Sequence, residues 1–372
     1  MYVTDSRRQK QKQRRNRLLA LLALILFVAL LIVRQPGLIP NPFQPTPTPT
    51  VSPANFLLTA DVAYQEGRLA DAISAYKDYL ALTPDDGDTW AQLARLQIWA
   101  GDTAASLDSA RQAYKLDEEN PFNMAVLGWA LDWNKDYDAA VKLAINAVDR
   151  DPQMAEARAY LSEIYADLGN WPRALEEAQE AVRLDPQSPE GHRALGYAYN
   201  VKGEYKKSIA AYDAAIQSAP QLARLYYEQG QNYVAEGDYD RAVEAYRRAI
   251  KANPNYAAAY DALGWAYYYE DDPERAIIEL ERAVALDPTM PEAWSHLGMA
   301  LYRRQRYEDA VAPLSKGVEL GADNEGYYFT LGLAYLYGEP RNCEQARIWF
   351  QRALDKNPTS QPALVGLQTC SD

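Results

Sequence analysis

Histidine and cysteine are the scarcest residues in this chain of 372 residues, with two of each. Two cysteines cannot form the dense disulfide framework of a small secreted scaffold, and two histidines leave little for a histidine-based metal or acid–base site. Phenylalanine is also rare, with 6 residues against 28 tyrosines and 8 tryptophans. Because 48% of the residues are apolar and 24% are charged, the composition excludes a disordered chain and a collagen.

The chain also lacks the motifs of catalysis. It shows no Ser/His/Asp set, no cluster with metal-ligand spacing and no glycine-rich loop after a strand. His192 and His296 are each interpreted as structural residues. The sequence therefore predicts a protein without enzymatic activity, cofactor or metal.

Charge is distributed unevenly along the chain. Residues 1–17 contain seven basic residues and one acidic residue, whereas residues 35–372 contain 30 basic and 50 acidic residues. Between these regions lie sixteen consecutive apolar residues, 18–33. As a helix they would span about 24 Å, less than a hydrocarbon core of about 30 Å, but Arg17 and Arg34 can snorkel at the two ends. The sequence predicts a transmembrane signal-anchor helix at residues 18–34.

The orientation of this anchor follows from the positive-inside rule. Residues 1–17 are predicted to be a basic cytoplasmic tail, and the acidic bulk of the chain is predicted to be extracytoplasmic. A cleaved signal peptide is the alternative, although no small-x-small cleavage site follows the apolar run. Both interpretations send the rest of the chain across the membrane. The basic tail is interpreted as an orientation signal, and no nucleic-acid partner is expected.

Residues 35–52 form a predicted linker. Six of these residues are proline, and the run PTPTPT is among them. Proline at this density prevents a helix or a central strand and favours polyproline II. We interpret the segment as a semi-rigid spacer between the anchor and the rest of the chain.

From Pro53 onward the sequence repeats every 34 residues. The eighth position of each unit is small, as in Gly196, Gly230, Gly264 and Gly298, and the twentieth position is alanine or serine. Small residues at these positions allow two antiparallel helices to approach closely, and proline at position thirty-two ends the second helix. The pattern predicts nine helical hairpins over residues 53–360, with two residues inserted in the ninth, and a C-terminal capping helix at residues 361–372.

These units resemble the tetratricopeptide repeat (TPR) family. The segments ARLYYEQGQNYVAEGDYDRAVEAYRRAIKANPNY and AYDALGWAYYYEDDPERAIIELERAVALDPTM match the family pattern almost position for position. The resemblance implies an all-α solenoid of helical hairpins that forms a right-handed superhelix. It also implies a concave groove, lined by the first helix of each hairpin, that binds protein or peptide partners.

The positions that line such a groove carry many aromatic residues in this sequence. Exposed aromatic side chains are common anchors for peptides and sugar rings, although any one of them could instead pack inside the superhelix. The predicted groove residues are Trp99, Trp129, Trp133, Arg193, Tyr197, Tyr227, Trp265, Tyr268, Tyr302 and Phe329.

The two cysteines lie near the C-terminus. Cys343 falls at the turn position of the ninth hairpin, and Cys370 falls near the end of the capping helix, which should run back toward the same edge. A Cys343–Cys370 disulfide is therefore expected in an oxidising compartment, where it would fasten the last helix. Two unpaired thiols are the alternative.

Together these features predict a single-pass membrane protein whose extracytoplasmic repeat domain is a non-catalytic scaffold for a protein or peptide partner. Two alternatives remain. The aromatic groove could bind a glycan or another polymer, or the chain could be an adaptor subunit of a membrane enzyme complex.

Overall fold

The computed structural model describes residues 4–34 and 52–370 of the chain, which divides into two units, residues 1–52 and 53–372. In the first unit one helix, α1 (Thr4–Arg34), contains most of the predicted basic tail and the predicted anchor. None of the helices in the described residues is both long and apolar enough to cross a membrane. Within the predicted anchor at 18–34, the description leaves out the side chains of residues 28, 29 and 31–34. The predicted linker also lies outside the described residues, apart from Ser52.

The second unit consists of helices that pack in consecutive pairs. The first helices of the pairs begin every 34 residues and are α2 (Pro53–Gln65), α4 (Gly87–Ala100), α6 (Pro121–Trp133), α8 (Ala155–Asp167), α10 (Pro189–Val201), α12 (Ala223–Ala235), α14 (Ala257–Tyr269), α16 (Pro291–Arg303) and α18 (Glu325–Tyr337). The second helices are α3 (Leu69–Leu82), α5 (Thr103–Leu116), α7 (Tyr137–Arg150), α9 (Trp171–Leu184), α11 (Tyr205–Ser218), α13 (Tyr239–Ala252), α15 (Pro273–Leu286), α17 (Tyr307–Glu319) and α19 (Cys343–Lys356). A single helix, α20 (Gln361–Thr369), follows. The described part of the chain contains no strand, so the predicted all-helical solenoid is confirmed.

Short turns join the two helices of each pair. Gly101, with φ of 86°, ends α4 in the left-handed region, where a glycine is not strained. Asp102 follows at once, and its carboxylate accepts a hydrogen bond from the amide of Ala105 in the first turn of α5. A glycine followed by an aspartate therefore stops one helix and starts the next within two residues.

Small residues allow the paired helices to pack closely. A Cβ atom on Gly298 of α16 would lie 2.4 Å from Cγ of Leu314 in α17. Ala310 and Gly317 on α17 occupy the two other small positions of the same unit, and both are buried. The close approach explains why the 34-residue pattern of small residues predicts the helix pairs so well.

The first superhelical turn of the second unit closes on itself. Gly67, between α2 and α3, lies against Gln221, which precedes α12, so that a Cβ on Gly67 would be 3.0 Å from Cβ of Gln221. Arg95 of α4 also forms an ion pair with Glu190 of α10 at 3.6 Å. We call helices α2–α12 the closed turn. One hydrophobic cluster fills it, and separate clusters lie under α13–α18 and α18–α20.

The last helix is joined covalently to the ninth pair. A disulfide links Cys343, the first residue of α19, to Cys370, which follows α20, with Cα atoms 5.3 Å apart. The insertion predicted in the ninth unit lies in the loop between Tyr337 and Cys343. The capping helix predicted at 361–372 is α20, and its last two residues lie outside the described part.

Candidate functional site

The predicted groove residues do not share one environment. Trp129 is only 1% exposed, stacks on Tyr160 with ring centres 4.2 Å apart, and donates a hydrogen bond from Nε1 to Glu163 at 2.8 Å. Trp99 packs against it with ring centres 6.2 Å apart. Both indoles belong to the core of the closed turn. The expectation that Trp99 and Trp129 face a partner is therefore corrected, because the closure of the turn buries them.

Arg193 lies in the same interior and is 3% exposed. Its guanidinium donates from Nε and one terminal nitrogen to the carboxylate of Glu228, both at 2.8 Å, and from the other terminal nitrogen to Glu163 at 2.6 Å. Burial raises the pKa of Glu163, while the charge of Arg193 lowers it. Arg193 is thus a buried structural cation between two carboxylates rather than an exposed anchor for a partner.

Next to this network lies a cavity of about 690 Å³, which is lined by the closed turn together with residues of α14 and α15. We call it the lumen cavity. Of the predicted groove residues, Trp133, Arg193, Tyr197 and Tyr227 line it. Five carboxyl groups also line the cavity, those of Asp132, Glu163, Asp167, Glu228 and Asp287. Three cationic side chains lie among them, those of Lys135, Arg193 and Arg224.

Asp132 is the most perturbed of these carboxyl groups. It is 3% exposed, and no donor in the described residues reaches its Oδ1 atom. Burial raises its pKa to about 9, helped by the negative charges of Asp167 and Glu163 and opposed by Arg193. The hydroxyl of Tyr197 donates to the carboxylate of Asp167. Burial therefore favours the protonated form of Asp132, although the cavity is rich in carboxylates.

A second group of aromatic residues lies on the surface of α14, α16 and α18, and it includes the predicted Tyr268 and Tyr302. Tyr269 is 53% exposed and Tyr337 is 52% exposed. Tyr302 contacts Tyr307 with ring centres 5.4 Å apart, and Tyr307 contacts Tyr337 at 5.8 Å. We call Tyr268, Tyr269, Tyr302, Tyr307 and Tyr337 the aromatic face.

Arg303 on α16 contacts one ring of the aromatic face. Its guanidinium lies 4.8 Å from the ring centre of Tyr268 on α14 and forms an ion pair with Asp271 at 2.8 Å. The surface thus combines exposed rings with one fixed, solvent-accessible ion pair, which is the composition of a protein-binding patch.

The remaining predicted residues lie at the margins of these two sites. Trp265 is half-buried beside Tyr268, with ring centres 4.6 Å apart, and Phe329 is half-buried against the C-terminal cluster. Sequence reasoning missed Tyr307, which is the first residue of the second helix α17 rather than part of a first helix. The signal was present, because Tyr137, Tyr205 and Tyr239 occupy the same position in other units.

Comparisons with known proteins agree with this architecture. The sequence-family model for the C-terminal domain of cilia and flagella-associated protein 70, a TPR domain, matches residues 184–371, which is half of the chain. Two tetratricopeptide repeat models match residues 63–116 and 126–189. A search of curated proteins finds no match.

Solved structures with low sequence identity share the fold. The Cut9–Hcn1 hetero-tetramer of the APC/C matches with a TM-score of 0.66 and 18% identity over 80% of this chain. The chain spans 59% of the length of that match. A monomeric IFIT1 mutant with Gppp-AAAA matches at 0.54 and 17% identity over 86% of this chain and 81% of that one. Pseudomonas aeruginosa pilF matches at 0.52 and 20% identity over 58% of this chain and 96% of that one.

The paired helices and their stacking define a helical-repeat solenoid, a class of protein that presents extended surfaces for interaction. Within that class the chain belongs to the tetratricopeptide repeat family.

Proposed function

We propose that this protein is a non-catalytic scaffold that binds a protein partner through the aromatic face. The observation that carries the proposal is the exposure of Tyr269 and Tyr337, each about half accessible; Tyr269 contacts the ring of Tyr268, and Tyr337 contacts the ring of Tyr307. Large rings on the surface of a monomer cost solvation free energy, and they regain it when a partner covers them. Among the similar structures, Cut9 is seen assembled with Hcn1.

We further propose that residues 18–34 anchor the chain in a membrane, with residues 1–17 in the cytoplasm and the repeat domain outside. The support is the sequence, in which seven basic residues precede an uninterrupted apolar run. The Cys343–Cys370 disulfide adds to this support, because such bonds persist in oxidising compartments and are rare in the cytosol.

Site-specific photo-crosslinking in the producing cells tests the binding surface. Benzoylphenylalanine would replace Tyr269 or Tyr337 on the aromatic face. It would replace Ile278 on α15 as the matched control, since Ile278 is 63% exposed and lies outside that face. The proposal expects the same protein to be crosslinked from both tyrosine positions and not from Ile278, as identified by mass spectrometry. Crosslinking of one protein from all three positions, or of none from the tyrosines, would contradict it.

Protease accessibility tests the membrane placement. The proposal expects protease added outside intact spheroplasts to digest the repeat domain. Protection of the repeats until the membrane is permeabilised would overturn the orientation. Recovery of all of the chain in the supernatant after lysis would overturn the anchor.

A further inference from the structure

The lumen cavity has more negative than positive groups. Arg193 forms ion pairs with both Glu163 and Glu228, and Arg224 lies 3.8 Å from Glu228. These four side chains balance. The remaining lining groups are the carboxyls of Asp132, Asp167 and Asp287, with Lys135 as the single remaining cation. The cavity therefore has an excess of two negative charges when all of its carboxyl groups are ionised.

One of these charges is cancelled by a proton on Asp132. The groups that face Asp132 are Asp167 and Glu163 on α8, Arg193 on α10 and the hydroxyl of Tyr137 at the start of α7. Burial is the main cause of the raised pKa of Asp132, and the charges of Asp167 and Glu163 add to it. A proton is the smallest cation that such a site can take up.

Aromatic rings line the rest of the cavity. Tyr137, Tyr197, Tyr227 and Tyr256 contribute phenol rings, and those of Tyr227 and Tyr256 meet edge to face with centres 5.4 Å apart. Phenol rings attract cations through their faces, and they shield a bound cation from water. Carboxyl groups surrounded by aromatic rings form a suitable environment for an organic cation with an alkyl chain.

We propose that the lumen cavity binds a primary alkylammonium group among the carboxyl groups of Asp132, Asp167 and Asp287, with the Oδ1 atom of Asp132, unpartnered among the described residues, as one of its acceptors. The ammonium group could belong to a free small amine or to a lysine side chain of a partner. Both sources present the same chemistry, a compact cation with three donors on a flexible stem. The binding reaction releases one proton from Asp132 for each ammonium group bound.

Titration calorimetry on the full chain in lipid nanodiscs tests this proposal. The probes are 1,4-diaminobutane for a free amine and N-acetyl-lysine amide for a side chain, with 1,4-butanediol as the uncharged control. The proposal expects at least one of the two amines to bind and the diol not to bind. The amine that binds more tightly identifies the source. Binding of neither amine, or equal binding of the diol, would overturn it.

Proton release provides a second, independent measurement. Titrations in two buffers with different ionisation enthalpies give the number of protons exchanged. The proposal expects release of up to about one proton near pH 7.5 and tighter binding as the pH rises toward 9, because the proton to be displaced is then held less often. Binding without proton release, or with an affinity that does not change with pH, would contradict the displacement.

The variant Asp132→Asn keeps the shape of the neutral side chain but has no proton to release. We expect it to bind the amine at least tenfold more weakly and without proton exchange. The control is Asp240→Asn; Asp240 lies on α13 outside the cavity, so this variant should bind the amine as the native chain does. Unchanged affinity in Asp132→Asn would overturn the assignment. Tyr269→Ala on the aromatic face should leave amine binding intact, so this proposal and the proposed function can fail separately.

Discussion

The imidazole of His296 lies almost parallel to the indole of Trp265, with ring centres 3.9 Å apart and 15° between the planes. Nδ1 of His296 lies 2.8 Å from a carboxylate oxygen of Asp261, and Nε2 lies 3.2 Å from the hydroxyl of Tyr327. The histidine lies on α16 and is held by side chains of the neighbouring first helices α14 and α18. Trp265 and His296 fix the spacing of the helices that carry the aromatic face, which is a positioning role rather than direct contact with a partner.

A substitution in the core of the closed turn should lower the free energy of unfolding much more than a substitution on the aromatic face. We expect Trp129→Ala to lower the free energy of unfolding by about 3–5 kcal/mol, because it leaves a cavity in the core and removes the hydrogen bond to Glu163. Tyr269→Ala should change it by about 0.5 kcal/mol or less, because that ring is half exposed. Urea denaturation followed by circular dichroism measures both. Equal stability of the two variants would show that Trp129 is not part of the core.

Arg193 should be essential for stability. We expect Arg193→Met to cost about 3–5 kcal/mol, because it leaves Glu163 and Glu228 buried without their cation. Arg304→Met is the matched control, since the Arg304–Glu274 pair is exposed and such pairs contribute little. The measurement is the denaturant midpoint of each variant. A loss in Arg304→Met as large as in Arg193→Met would contradict the buried network.

Asp132 should make stability depend on pH. The native state retains its proton up to a pH of about 9, whereas the unfolded chain releases it near pH 4. Because the native state binds more protons between these values, this group makes the free energy of unfolding fall as the pH rises. Asp132→Asn lacks this loss, so its stability relative to the native chain should increase from pH 5 to pH 8, by at most about 1.4 kcal/mol per pH unit.

Denaturation curves of both chains at the two pH values check this difference, in which the other titrating groups cancel. An advantage of Asp132→Asn that stays constant with pH would mean that Asp132 is ionised in the native state.

The disulfide should stabilise the end of the solenoid. Replacing Cys343 and Cys370 together by serine opens a loop whose ends are 27 residues apart. The chain-entropy model then predicts a loss of about 3 kcal/mol. The effect should be concentrated in α20, which the bond joins to the start of α19, so amide hydrogen exchange should accelerate there and stay unchanged in α8. Acceleration spread evenly over the chain would contradict this local role.

The sequence was sufficient to predict the helix pairs but not the division of the groove. Trp129, Tyr197 and Trp265 occupy the same position in their units, and a rule based on position predicts one environment for all three. In the structure the first is buried, the second lines the lumen cavity and the third is half-buried beside the aromatic face. The difference arises because α2–α12 close on themselves through the contact between Gly67 and Gln221, whereas Trp265 lies on α14, beyond that span. A contact between residues so far apart in the sequence does not follow from the repeat pattern of a single unit.

The closed turn limits how this protein can change by duplication or loss of units. In an open solenoid, a unit can be gained or lost with little effect on distant ones. Here the contact between Gly67 and Gln221 joins the first and fifth units, which are separated by three others. An added or deleted unit within that span would move the two residues apart by about the 8–10 Å that separates packed helices. The number of units in this span is therefore constrained like the number of strands in a closed barrel, while units beyond α13 can vary more freely.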